Sequence, residues 1–460
     1  MSPLVTTARR CLLGLGLMAS AATARAQSAA PSATVPTSHP APLALTAIPA
    51  TPAGESLRAW FDAFNSGDST RLASYIARYG SDGPIGEQLR FRRQTGGFDL
   101  LSVERSEPGH LEFIVRERNS PMVAFGSLDR GDAPGDGPDL RALGPDMPAS
   151  AAYVDAAERA RVLARTAVLL DSFYVFPGSA RRMADTIRAR QARGAYDADR
   201  AGPLFARHLE RDLLAVSHDK HLSMQFSATP LPPAFQEIDG RPVRTAEDEA
   251  RERTVGERTN CSFARAERLE GNIGYLKVDG FQEPSVCAAT AAAAMTFVGG
   301  TRALIIDLRE NGGGRPPMVS LLASYLFDRR THLNDLYTRY TNRTEQFFTS
   351  DSLAGRRYGA AKPVFVLTSA NTFSGGEEFT NDLKELKRAT IIGETTGGGA
   401  HPVRGRRIDD HFMLAVPFAR AINPISHGNW EGAGVTPDVK VPAAEALDTA
   451  LRMARALQQP

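Results

Sequence analysis

Ser374 stands in TFSGGEEF (372–379), where its type and its neighbours suit it to act as a nucleophile. PVFVLTSA (363–370) precedes it, an apolar run that reads as a buried strand; Phe379, Leu383 and Leu386 follow at helical spacing. The serine therefore falls on a strand-to-helix turn, beside free backbone N–H groups able to hold an anion. That is the logic of a nucleophile elbow, although the pattern is not G-x-S-x-G, and an N-cap would place a serine there too. Serine hydrolysis further needs a base, a group that orients it, and donors for the oxyanion. The glycines of DLRENGGG (307–314) follow the strand-like ALIIDL and can present bare N–H groups; Gly313 pairs with Gly375 as the expected oxyanion donors. The base is a histidine or a lysine. In sequence no lysine accompanies the glycine loop TTGGGAHP (395–402), which leaves His218, His221 and His401 as candidates. His218 and His221 flank Asp219 in SHDKHL, but no third ligand follows at a zinc-like spacing, so neither metal nor cofactor is expected. Glu431, in NWEGAGVTPD (429–438), is the candidate to orient the base or a water.

The elements that must position these residues alternate strand and helix. IGYLKV (273–278), ALIIDL (303–308), 363–369 and ATIIGE (389–394) read as strands; 287–297, 317–327 and the stretch after Ser374 read as helices. This order predicts an α/β layered core with parallel strands over 271–458, with FMLAVPFA (412–419) as a hairpin strand and 443–457 as a closing helix. Upstream, 150–226 reads as a helical bundle. Its first helix carries a face of Val154, Ala157, Ala160, Ala164 and Val168. Residues 227–270, Pro-rich and then charged, read as a connecting segment.

Leu57, Trp60, Phe61 and Phe64 share one helical face, and Leu72, Tyr75, Ile76 and Tyr79 a second. Strand-like FDLLSV (98–103), HLEFIV (110–115) and MVAFGSL (122–128) follow. This α+β unit, 54–147, resembles the SnoaL-like cone fold in the phrase LRAWFDAFNSGDSTRLASYI, and it shows no acid–base cluster of its own. The Gly/Pro/Asp-rich 129–148 reads as its boundary.

Residues 1–26 have the make-up of a signal peptide: Arg9 and Arg10, an apolar run too short to span a bilayer, and Ala24-Arg25-Ala26. The expected location is periplasmic or secreted, with no membrane span after removal. Residues 27–53, rich in Ala, Pro, Ser and Thr, read as a linker. Taking three arginines from the 54 basic residues leaves 51 against 52 acidic ones. Nothing in that balance suggests nucleic acid or an anionic membrane. Cys261 and Cys287 remain, as a disulfide or as two thiols. The sequence sets no oligomeric state.

DLRENGGG, TFSGGEEF, GETTGGG (393–399) and EGAGVTPD occur in one order. Together they resemble the family that holds the C-terminal processing (tail-specific) peptidases, tricorn protease and the repeats of interphotoreceptor retinoid-binding protein. YVFP (174–177), RGAY (193–196) and SHDKHL (217–222) look most like the last branch. The resemblance spans about 150–445 and implies a ClpP/crotonase-like layered core. It implies Ser374 as nucleophile, Gly375 and the glycines of DLRENGGG as oxyanion hole, His221 as base and Glu431 as the third member. The lysine of the Ser–Lys branch is missing, since its region reads Gly398-Gly399-Ala400, and no PDZ-like segment stands out. The resemblance thus implies a Ser–His–Glu peptidase acting on peptides or proteins. The retinoid-binding branch offers a second reading, a silent scaffold that binds a hydrophobic ligand or peptide.

Overall fold

The computed structural model describes residues 43–80, 85–130, 137–233, 237–238 and 241–457. The stretch read as a signal peptide, 1–26, and most of the one read as a linker lie outside them. Residues 43–53 are not linker-like: Ile48 is buried against the first helix, and Leu43 N–H donates to Leu100.

The N-terminal unit packs helices Pro52–Ser66, Ser69–Tyr79 and Ile85–Thr95 on a four-stranded antiparallel sheet, Phe98–Ser106, His110–Glu117, Met122–Asp129 and Asp139–Pro145, in sequence order. The Thr51 hydroxyl and the Asp68 carboxylate cap the first two helices, accepting from N–H groups of their first turns. Trp60, Phe61, Phe64 and Leu72 form the core with Phe98 and Phe113. Two features were hidden in the sequence. The helix Ile85–Thr95 has a weak apolar stripe, and the last strand arises inside the stretch that reads as a boundary.

Helices Ala156–Phe173, Pro177–Ala192 and Gly202–Ser217 follow. Their core is shared with a three-stranded antiparallel sheet, Val403–Arg407, Phe412–Pro417 and Ser223–Phe226. Phe412, Leu414 and Val416 point among Leu163, Leu170, Phe205 and Leu209. The buried stripe of the first helix is Val162, Leu163, Thr166, Ala167, Leu169 and Leu170; the expected face is rotated outward, with Val168 exposed.

The central sheet has six strands in the order Val439–Lys440, Thr390–Gly393, Val364–Thr368, Ala303–Asp307, Ile273–Val278 and Phe263–Leu269. All pairs are parallel except the last, which is antiparallel. The edge strand Phe263–Leu269 lies in the stretch read as connecting. Alternate residues serve opposite faces. Leu304, Ile306, Val364 and Val366 meet helices Pro284–Val298, Pro316–Ser324 and Gly375–Glu385. Ala303, Ile305, Phe365 and Leu367 meet helix Ala446–Ala456 through Ala446, Ala450 and Ala454. FMLAVPFA splits at Phe418: Phe412–Pro417 joins the sheet above, and Ala419–Ile422 pairs with His332–Thr338 in another. Cys261 and Cys287 form a disulfide beside the edge strand. Among the described residues no helix is long and apolar enough to cross a membrane.

Candidate active site

Strands Ala303–Asp307 and Val364–Thr368 are parallel neighbours, with Asp307 opposite Leu367. The loops that follow them must therefore emerge at the same end of the sheet, where open α/β sheets place ligands. One loop carries the glycines 312–314 and the other carries Ser374. Asn311 fixes the first loop: its Nδ2 donates to the Val278 carbonyl at 2.9 Å and its main-chain carbonyl accepts from Phe373 N–H at 2.9 Å.

Ser374 is half-buried and has φ 50° and ψ −118°, a conformation that costs a non-glycine residue about 1–3 kcal/mol. The strain turns the chain abruptly from the strand into helix Gly375–Glu385. Gly375 N–H has no partner among the described residues. Gly313 is a different matter. Its N–H donates to Asn311 Oδ1 at 2.8 Å, so it is not available to an oxyanion. The donor facing the turn is Gly314. Phe281 N–H donates to the Gly313 carbonyl and Arg315 N–H to the Phe281 carbonyl, which aims the N–H of Gly314 away from Phe281. A β-carbon on Gly375 would lie 3.0 Å from the Gly314 nitrogen, so the two loops touch backbone to backbone.

The three candidate histidines have three different surroundings. His218 is exposed, in left-handed conformation at the end of helix Gly202–Ser217, and stays outside the cluster. His401 is buried; its Nδ1 lies 2.7 Å from Asp219 Oδ2 and 3.4 Å from Glu431 Oε2, and its ring meets Phe176 edge-on. His221 stacks on Phe373, the residue before Ser374, with ring centroids 4.6 Å apart. Both its ring nitrogens are closed off from solvent and neither has a hydrogen-bond partner, so no bond to Ser374 is formed here. Catalytic hydrogen bonds commonly tighten only around bound substrate. Burial pushes the imidazole down to about 4, with Asp219 pulling the other way. The ring is therefore neutral at pH 7, the form a base requires.

Glu431 arrives from the loop before strand Val439–Lys440. Its Oε2 accepts from Ala400 N–H at 2.6 Å, while Oε1 is buried without a partner. Burial, followed by the charge of Asp219, raises this carboxyl to about 7. Asp219 was not singled out by sequence, yet it anchors the group: it accepts from His221 N–H (3.1 Å), Tyr174 Oη (3.2 Å) and His401. Only its place between two histidines signalled it.

A second residue, Glu377, ties the turn at Ser374 to the glycine loop. Its Oε1 accepts from Thr396 Oγ1 (2.5 Å) and Gly398 N–H (2.6 Å), and its Oε2 from Gly399 N–H (2.8 Å) and Ser374 N–H (2.9 Å). Trp430 Nε1 donates to the Gly399 carbonyl at 2.7 Å. Although no lysine accompanies this loop in sequence, Lys220 reaches it in space and donates to the Gly397 carbonyl.

A β-carbon on Gly399 would lie 2.3 Å from Phe373 Cζ and 2.5 Å from His221 Cε1. Gly399→Ala must therefore displace His221 or the Phe373 ring beneath it. A misplacement of about 1 Å can cost about 100-fold in rate. We expect kcat/KM to fall by about that factor, with an overpacking loss of about 1–3 kcal/mol. Peptide kinetics and thermal melts of the variant check both.

A model of peptidase family S41 matches residues 272–441. Carboxyl-terminal-processing peptidase 2, chloroplastic, of Arabidopsis thaliana is 28% identical over 182 residues, 40% of this chain and 34% of that protein. The C-terminal processing peptidase, chloroplastic, of Tetradesmus obliquus is 30% identical over 189 residues, 40% of this chain and 39% of that protein. The chain thus spans between a third and two fifths of the length of these relatives. Among solved structures, the photosystem II D1 C-terminal processing protease is 20% identical with a TM-score of 0.41, covering 66% of this chain and 98% of that one.

Proposed function

We propose that residues 272–441, which match the model of peptidase family S41, form an S41 domain, and that the chain is an exported serine peptidase using Ser374, His221 and Glu431. The observation that carries this reading is the strained turn at Ser374 with an unpartnered, neutral imidazole packed beside it. Strain of this kind persists where the surroundings over-determine it, above all at reactive groups.

In the proposed reaction Ser374 Oγ attacks a peptide carbonyl and His221 takes its proton. The imidazolium that forms lies near the carboxylates of Asp219 and Glu431, whose ligand atoms and that of the ring fall within 4.8 Å of one another. Gly375 and Gly314 N–H groups receive the oxyanion; one such donor contributes about 3 kcal/mol. His221 then protonates the leaving amine and activates the water that releases the acyl group. Export is supported by the Cys261–Cys287 disulfide, since such bonds persist in oxidising compartments. The N-terminal α+β unit is an accessory domain in this reading.

The acid limb of kcat/KM tests the role of Glu431. A lone buried His221 would lose its basic form only near pH 4. Glu431 becomes a neutral acid as pH falls through about 7, and a neutral acid cannot stabilise the imidazolium. The limb is expected near pH 7, and Glu431→Gln should give a low, flat profile between the two values. A wild-type limb near 4 would remove Glu431 from the reaction.

A fluorophosphonate probe tests the assignment as a whole. The expected result is one adduct per chain, mapped to Ser374 and absent from Ser374→Ala. Folded protein that takes up no probe would overturn the peptidase reading and leave a binding role.

A further inference from the structure

Zinc-type sites need three converging ligands, and local spacing around His218 and His221 offers too few. The fold supplies the missing one. Asp219 and His221 meet Glu431, which comes from a loop far along the chain, and one ligand atom from each lies within 4.8 Å of the others. Bonds of about 2.0–2.2 Å at tetrahedral angles set ligand atoms about 3.5 Å apart, so side-chain rotations that draw them in by about 1 Å close the set.

Two of the three residues also hold unspent ligand atoms. Both nitrogens of His221 and Oε1 of Glu431 are buried without hydrogen-bond partners. An unsatisfied buried polar group costs about 1–3 kcal/mol, and a cation would satisfy Glu431 Oε1 and one His221 nitrogen together. Asp219 is oriented from outside by His401 and Tyr174, which hold its Oδ2. Outer partners of this kind fix the ligands of metal sites.

We propose that Asp219, His221 and Glu431 bind one divalent transition-metal ion, and that this ion switches the peptidase off. One imidazole with two carboxylates suits Zn²⁺, Co²⁺ or Ni²⁺ better than Mg²⁺ or Ca²⁺, which prefer all-oxygen surroundings. Three protein ligands leave an open position for water. The switch follows from electron bookkeeping. Neutral imidazole has one basic lone pair. When His221 gives it to the metal through the nitrogen facing the carboxylates, the ring proton sits on the other nitrogen, which can then take no proton from Ser374, and nothing is oxidised. The metal site stands on geometry alone; the shut-off rests on the proposed peptidase reading.

Co²⁺ is the probe, added to tag-free Ser374→Ala protein so that catalysis plays no part. The expected result is visible d–d absorption that saturates at one Co²⁺ per chain and is displaced by Zn²⁺. His221→Ala and Glu431→Ala should each weaken binding by about 10–100-fold, with circular dichroism confirming that at least one remains folded. His427→Ala, which removes an exposed imidazole, should bind as the parent does. In wild-type protein, Zn²⁺ should suppress peptide hydrolysis and EDTA restore it. Absence of a saturable Co²⁺ spectrum, or a spectrum unchanged in a folded His221→Ala or Glu431→Ala variant, overturns the site. Hydrolysis that Zn²⁺ leaves untouched or stimulates overturns the switch. A chain that binds Co²⁺ as described but hydrolyses nothing keeps the metal site and loses the peptidase reading.

Discussion

Replacing Ser374 by glycine is expected to abolish peptide hydrolysis and to raise the thermal midpoint in the same molecule. The two effects have separate causes. Losing the nucleophile of a serine hydrolase costs about 10⁴–10⁶-fold in kcat. The backbone at φ 50°, ψ −118° costs serine about 1–3 kcal/mol, which glycine does not bear. Glycine's greater freedom in the unfolded chain returns about 0.5–1 kcal/mol of that. The net gain is about 1 kcal/mol, or about 2–4 °C for a domain of this size. Ser374→Ala separates the contributions, because alanine removes the hydroxyl but keeps the strain. It should match the glycine variant in lost activity and show no stabilisation. Scanning fluorimetry of the two proteins side by side decides the matter. A glycine variant that melts below wild type would mean that the serine is held for packing, and the argument from strain would fall.

How far the sequence discloses this site depends on where each partner comes from. The parallel strands were readable because both faces are buried, leaving runs such as ALII (303–306) and VFVL (364–367) with no polar interruption. The turn at Ser374 was readable because glycines mark sharp backbone. The first helix of the 150–226 segment was set on the wrong face because alanine fits either side, and Val162, Leu163, Leu169 and Leu170 decide which side is inward. The helix after Ser374 misleads more deeply. Glu377, Glu378 and Asp382 look solvated in sequence, but all three are buried. Burial raises Glu378 to about 7 and, with the nearby Glu378 charge, pushes Asp382 well up. Such burial is settled by tertiary neighbours such as Asn334, whose amide donates to Glu378 at 3.3 Å. Gly313 was chosen over Gly314 for a similar reason: the side chain that occupies its N–H, Asn311, is visible in sequence, but the direction of that amide is not.

Glu377 illustrates the point most sharply, and its removal should be the most damaging single change to the fold near the site. Both carboxylate oxygens accept two donors each, one oxygen from Thr396 and Gly398, the other from Gly399 and Ser374. Burial raises this carboxyl, while the Thr396 hydroxyl and the three N–H groups draw it back. A hydrogen bond to a charged group contributes about 1.5–3 kcal/mol, and the stranded donors keep their own desolvation cost, so Glu377→Ala should lose on the order of 5 kcal/mol or more. Small domains carry only about 5–15 kcal/mol in all, which puts this variant at the edge of folding. Glu377→Gln is no rescue, because its amide NH₂ must face at least one N–H donor wherever it is turned, Gly398 on one side or Gly399 and Ser374 on the other. Thr396→Val is the graded control, since it removes one donor and leaves the carboxylate three. We expect a loss of about 1.5–3 kcal/mol there, with soluble protein and a lowered kcat. Urea midpoints for the three variants should fall in the order Thr396→Val, Glu377→Gln, Glu377→Ala. A Glu377→Ala protein as stable as wild type would show that the nucleophile turn and the glycine loop hold their places independently, and that the strain at Ser374 is maintained by something other than this carboxylate.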